Sequence, residues 1–203
     1  MHRVHWLATF TASVCLSACT IAPIPIDNVA YPGQTTVKSS KEAKVTTSSS
    51  GVGGSSSTRI MPVAGTFVAV QENSSSMPFG EKDQQEFAKS LRTELVRLGI
   101  VRAAVGDPNA VADLAIVLHF AGARFNADPV EYTLDVVLKI AGGEKPIQKH
   151  YHVVSSEKDS FWERMNTNGA EARLKVAKLL LEKLVPDIEA YVEAMQHNVK
   201  QAQ

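Results

Sequence analysis

Three histidines and one aspartate are the residues of this 203-residue chain whose types and spacing best suit joint chemistry. His150 and His152 stand two apart in a β-rich run. Alternate residues of a strand share a face, so the pair can offer two imidazoles to one metal. His119, in another alternating run, would supply a third ligand with Asp135 close by, and zinc or copper would suit such a set. The competing reading is a solvated sheet face, since any half-exposed strand alternates polar residues in this way. Asp135 and Lys139 are expected to form a surface charge pair. A second candidate is Phe161-Trp162-Glu163-Arg164-Met165, in the connection before the last helix, where Phe161, Trp162, Arg164 and Met165 have the composition of a partner-binding anchor. Its alternative is that Phe161 and Trp162 cap the open end of the core. Met77-Pro78-Phe79 carries the same two readings.

The motifs of several enzyme classes are missing. No Gly-x-Ser-x-Gly nucleophile elbow, His-Glu-x-x-His zinc helix or phosphate-gripping glycine loop occurs. Gly51-Val52-Gly53-Gly54 belongs to a low-complexity stretch and not to a strand-to-helix turn. Glu81, Asp83 and Glu86 gather where a helix begins and complement its dipole. No pair of carboxylates is spaced for acid–base work. The expectation is a protein that is not an enzyme and has no catalytic residues.

Leu16-Ser17-Ala18-Cys19 closes a short N-terminal segment in which His2 and Arg3 precede a mostly apolar run, Trp6 to Val14, too short to span a bilayer. The four residues resemble the lipobox, the signal-peptidase motif of bacterial lipoproteins. That resemblance implies cleavage before Cys19, lipid (palmitate among it) on the Cys19 sulfur, and a mature chain outside the cytoplasm. Several acyl chains would hold it firmly, where a single one binds only marginally. Thr20 stands where an Asp would signal inner-membrane retention, so the resemblance points to the outer membrane, facing the periplasm. The alternative is an ordinary secretory signal with a chance cysteine. Cys15 would leave with the signal and Cys19 would carry lipid, so no thiol remains for a disulfide, a cysteine metal site or a nucleophile. The expected cofactor list is empty apart from that covalent lipid.

The chain holds 21 basic and 21 acidic residues, so no global field draws it to nucleic acid. From Thr20 to about Thr58 it is rich in Ser, Thr, Gly and Pro, which reads as a disordered tether. Fully stretched, such a tether would reach on the order of 130 Å. The expected organisation is a signal peptide over 1–18, lipidated Cys19 and tether over 19–58, one domain over 59–198 and a disordered tail over 199–203.

Within the domain, Thr66 to Val70 alternates and predicts a first strand. Phe87, Leu91, Leu95 and Leu98 recur at spacings of four, four and three, predicting a helix from Glu81 to Leu98 that stops at Gly99. Ile100 to Val105 predicts a short strand. Asp113 to Phe125 and Glu131 to Ala141 alternate and form a predicted hairpin around Asn126-Ala127-Asp128-Pro129, and Ile147 to Ser155 adds a third strand. Leu174, Leu181, Ile188 and Met195 mark a final helix, about Asn168 to Gln196, kinked at Pro186. The order β-α-β-β-β-α predicts an α+β two-layer sandwich, a mostly antiparallel sheet of four or five strands with two helices on one face.

Anchor, Ser-rich tether and this small domain resemble the uncharacterised periplasmic lipoproteins grouped in domain-of-unknown-function families. Asp107-Pro108 and Ala112-Asp113-Leu114-Ala115-Ile116-Val117-Leu118 are similar to the entry to a central strand in those families. More remotely, the layout is similar to the N-terminal domain of the translocation protein TolB and to lipoprotein activators of cell-wall synthases. The resemblance implies a membrane-anchored adaptor in the cell envelope. Its partner would be an envelope protein or a second copy, engaged through the open sheet face or the 161–165 run. The alternative function is a small metal- or ligand-binding module that uses the His-rich face.

Overall fold

Alternating apolar residues build the sheet. In the computed structural model, residues 26, 29–50, 56–63, 66–73, 79–127, 130–143, 145–156 and 170–201 are described. Strands β1 (Glu42–Ser49), β4 (Ala103–Val105), β5 (Leu114–Ala127), β6 (Val130–Ala141) and β7 (Ile147–Ser156) form one five-stranded sheet in the order β4-β1-β5-β6-β7. Helices α1 (Glu81–Leu98) and α2 (Ala170–Gln201) cover one face of it. The result is the α+β two-layer sandwich the sequence predicts. Strands β2 (Ser56–Val63) and β3 (Thr66–Asn73) form a separate two-stranded sheet.

One core joins the two layers. Leu114, Ile116, Leu118 and Phe120 of β5, with Tyr132, Leu134, Val136, Leu138 and Ile140 of β6, are buried under both helices. Phe87, Leu91 and Leu95 meet them from α1, and Leu181, Leu184 and Ile188 from α2. Phe79 is 2% exposed and stacks on Phe120 at 5.6 Å between ring centroids. Of the two readings of Met77-Pro78-Phe79, the core reading therefore holds for Phe79. Asp83 accepts the Gly80 N–H at 3.1 Å at the start of α1, and Gly99, at φ 77°, ends it.

The tether expectation fails over residues 29–49 and 56–58, where the chain is a packed strap or a strand. Residues 42–49 are not coil but the strand between β4 and β5, parallel to both, with Ala43 and Val45 fully buried. Residues 29–41 run along the helices as a strap, and Ile26, Val29 and Val37 are buried in the core. Low apolar content misled because the missing large residues are not needed: β1 pairs with β5 along Ala43–Ser49 and with β4 at Glu42–Lys44, and Arg92 donates to the Val45 carbonyl, so much of its backbone is satisfied by neighbours. A strand so placed turns only two small apolar side chains to the core. The folded unit therefore begins well before Arg59. It also follows that the sheet is mixed, with two parallel and two antiparallel pairings. The predicted first strand over 66–70 exists as part of β3, but its partner is β2 and not the main sheet. Helix α2 continues through Pro186, whose ring lies on the exposed side.

Candidate functional site

The sheet face turned away from the helices is the first candidate site. Register sets its rows: Ser48 of β1 lies beside His119 of β5, then Val137 of β6, then His150 of β7. The adjoining row runs Thr46, Val117, Lys139, Gln148. Between Phe120 and Gly122 the β5–β6 register shifts. This bulge changes which β5 residues face inward and sets Gly122, not a side chain, beside Asp135. Asp135 pairs with His152 in the ladder, and their side chains meet at 2.7 Å between Oδ1 and Nδ1.

The structure separates the three histidines into three local partnerships. His119 is held by Ser48 at Nδ1 (2.9 Å) and by Ser50 at Nε2 (2.8 Å). A neutral imidazole has one donor and one acceptor nitrogen, so one serine gives a proton and the other accepts. His150 contacts Gln148, and His152 contacts Asp135. Val137 stands between His119 and His150, which puts their strands two spacings apart, about 9.5 Å. His150 and His152 share a face but sit in successive rows, and His119 joins neither directly. Among the described residues, no three His, Cys, Asp or Glu side chains gather as a metal-holding group. The expected Asp135–Lys139 pair does not form, because residues four apart on a strand are about 13 Å apart. Cys19, with Leu16, Ser17 and Ala18, and the run Phe161, Trp162, Arg164, Met165 lie outside the described residues.

The strap on the helical side is held by polar residues that periodicity alone does not single out. Ser90 donates to the Val29 carbonyl at 2.7 Å. Glu94, 5% exposed, accepts the Tyr31 N–H at 2.8 Å and is gripped by Arg97 at 2.6 and 2.9 Å. Arg97 also donates to the Tyr31 carbonyl, and Lys38 to that of Leu98. From α2, Glu189 accepts from Thr35 and Gln196 donates to the Lys38 carbonyl. Burial alone would push the Glu94 carboxyl up; the Arg97 hydrogen bond, the Tyr31 amide and the Arg97 charge outweigh it and hold the group below its ordinary value. The signal in sequence was weak: Ser90 and Glu94 are four apart beside the apolar stripe, a spacing that any solvated helix face also shows.

Two further carboxylates fix elements. Asp113, just before β5, accepts the Glu42 N–H at 2.8 Å and pairs with Lys41 at 3.2 Å. The Glu42 amide is the main reason its carboxyl is held below the usual range. Asp187 of α2 accepts from Lys149 and Tyr151 of β7. Burial and that hydrogen bond push the Tyr151 phenol up, while the two donors overcome burial and hold Asp187 low.

No family model matches the chain, and no curated protein does. Among solved structures, it is similar to protein XCC0632 from Xanthomonas campestris, described under the family DUF330. The TM-score is 0.50 at 13% identity, over 85% of this chain and 95% of that one. A hypothetical protein from Chlamydia trachomatis, CT253, matches at TM-score 0.42 and 10% identity, over 76% of this chain and 99% of that one. An uncharacterised protein matches at TM-score 0.41 and 12% identity. At such identity the likeness to XCC0632 shows a shared fold. A domain of unknown function is thus the company this fold keeps, and a fold of itself names no activity.

Proposed function

We propose that the protein is a lipid-anchored adaptor of the cell envelope, non-catalytic, facing the periplasm from the outer membrane. The lipobox-like Leu16-Ser17-Ala18-Cys19 supplies the anchor. The observation that carries the reading is the strap: Ile26, only seven positions after Cys19, is already buried in the core. A lipid on Cys19 would then hold the domain within about 25 Å of the bilayer, not at the end of a long tether. Among the described residues α1 and α2 cover one sheet face, while Lys139, Gln148, His150 and His152 are exposed on the other, which makes that face the surface offered to a partner. Confinement raises the effective concentration of a weak binder, so modest affinity suffices. The remote likeness of layout to TolB and to lipoprotein activators makes an envelope protein, such as a cell-wall synthase, the partner class.

The test is photo-crosslinking in intact cells from Thr133 and Gln148 on the open face, with Lys183 on α2 as the comparison. One envelope protein captured from the open face and not from α2 is expected. Cys19→Ala should release the protein from the membrane. Capture of nothing specific from the open face would overturn the adaptor role, and outer-membrane fractionation of Cys19→Ala would overturn the anchor.

A further inference from the structure

Among the described strands, β2 and β3 are the two that do not belong to the main sheet. The base of their hairpin is polar: Ser56 pairs with Asn73, Ser57 with Glu72 and Thr58 with Gln71. Its outer half pairs Ile60 with Ala69, Met61 with Val68, Pro62 with Phe67 and Val63 with Thr66. No charged residue occurs from Ile60 to Val63 or from Thr66 to Val70. Directly paired residues share a face and successive pairs alternate, so the register places apolar residue types on both faces of this half.

Pro62 makes the two edges unequal. An antiparallel pair either exchanges two hydrogen bonds or exchanges none. Pro62 has no N–H, so the Pro62–Phe67 pair is of the second kind, and the N–H and C=O of Phe67 point away from β2. By alternation, those of Ala69 and Gln71 do the same. The outer edge of β3 therefore carries an unbroken set of donors and acceptors, while that of β2 lacks its donor at residue 62. Natural edges are guarded by charge, proline or bulges. The main sheet's edge strand, β7, carries Lys149, His150 and His152. The outer half of β3 has no such guard. A two-stranded ribbon is also marginal in water by itself, and three or more strands with an apolar face are what independent stability needs.

We propose that β3 is a self-association edge, pairing antiparallel with β3 of a second copy across a twofold axis. The product is a four-stranded sheet in the order β2-β3-β3-β2. An edge meeting its own copy is self-complementary in apolar type and has no like charges to oppose. Pro62 then occupies both outer edges and ends the sheet there, which makes the assembly a closed dimer and not a fibre.

The test is sedimentation equilibrium of the full-length protein in density-matched mild detergent at tens of micromolar. The Ala69 N–H points outward, so Ala69→Pro removes a donor from the edge without touching the hairpin's own ladder. The wild type is expected to sediment as a dimer, and Ala69→Pro as a monomer with an unchanged circular-dichroism spectrum. Gln71→Pro acts at the same edge and is expected to behave likewise, which keeps the test decisive if the first variant fails to fold. Pro62→Ala restores the missing donor and should give species larger than a dimer. A wild-type monomer at this concentration overturns the proposal, as does a folded proline variant at residue 69 or 71 that remains dimeric.

Discussion

Glu94 illustrates how one buried charge decides where a chain segment goes. A carboxylate at 5% exposure would be costly unless its acceptors were filled, and here Arg97 and the Tyr31 amide fill them. The strap is thus fixed by satisfying a charge as well as by burying Val29 and Val37. Because the carboxyl is held below its ordinary value of 4.5, its contribution to stability is present above that value and is lost as pH falls through the lower, folded-state one. Glu94→Gln removes the charge and the titration together. Urea unfolding should show a loss of roughly 1–2 kcal/mol at pH 7. The gap between variant and wild type should narrow below about pH 4. A gap that stays constant down to pH 3 would mean that the pair with Arg97 does not stabilise the fold. On the open face, by contrast, His119, His150 and His152 are each engaged locally, and the sequence could not reveal this: spacing gives the face of a residue but not its row.

At the scale of elements, β1 is the decisive piece, since removing it would leave β4 and β5 without their common neighbour. Asp113 fixes its start through the Glu42 amide, and Arg92 of α1 donates to the Val45 carbonyl at 3.3 Å. Native-state hydrogen exchange should therefore find those amides within Ala43–Ser48 that bond across to β5 protected to a degree similar to Ile116 and Leu118 of β5. Exchange at coil rates there would restore the tether. The contrast with α1 shows what a single sequence can disclose. Its bounds, Glu81 and Leu98, were legible because four large residues recur with helical period and Gly99 follows. The β5, β6 and β7 strands were legible because one face of each alternates strongly. Two cases were not. On its inner face β1 has only Ala43 and Val45 as apolar residues, followed by Thr47 and Ser49, with Lys44, Thr46 and Ser48 on the other face, and so lacks the apolar run of an ordinary central parallel strand. The strap turns every second residue inward from 29 to 41, but Gly33, Thr35, Ser39 and Lys41 stand at those positions beside Val29, Tyr31 and Val37, so its sequence shows no apolar alternation. For β3, the strand type was legible but the partner was not, because alternation carries no information about which edge a strand will meet.

For the molecule as a whole, the position of the fold's first buried residue matters more than any single side chain of the open face. With coil from Thr20 to Thr58, a lipid-anchored domain would sample a wide layer of the envelope. With Ile26 in the core, six residues separate it from Cys19, so a lipid there would leave little reach and little freedom to rotate. On the proposed anchor, such a domain would meet partners embedded in or lying on the same membrane and not partners across the cell wall. The geometry can be measured in vesicles that carry the lipidated protein, with a fluorescent donor at exposed Ala190 and acceptors on the lipid headgroups. Strong energy transfer is expected for the native chain. Inserting about 30 Gly/Ser residues between Pro23 and Ile26 adds a coil averaging roughly 30 Å and should weaken transfer clearly while the lipid remains attached. Equal transfer from both proteins would mean that the strap does not set the distance, and that the domain is held to the bilayer by some other part of its surface.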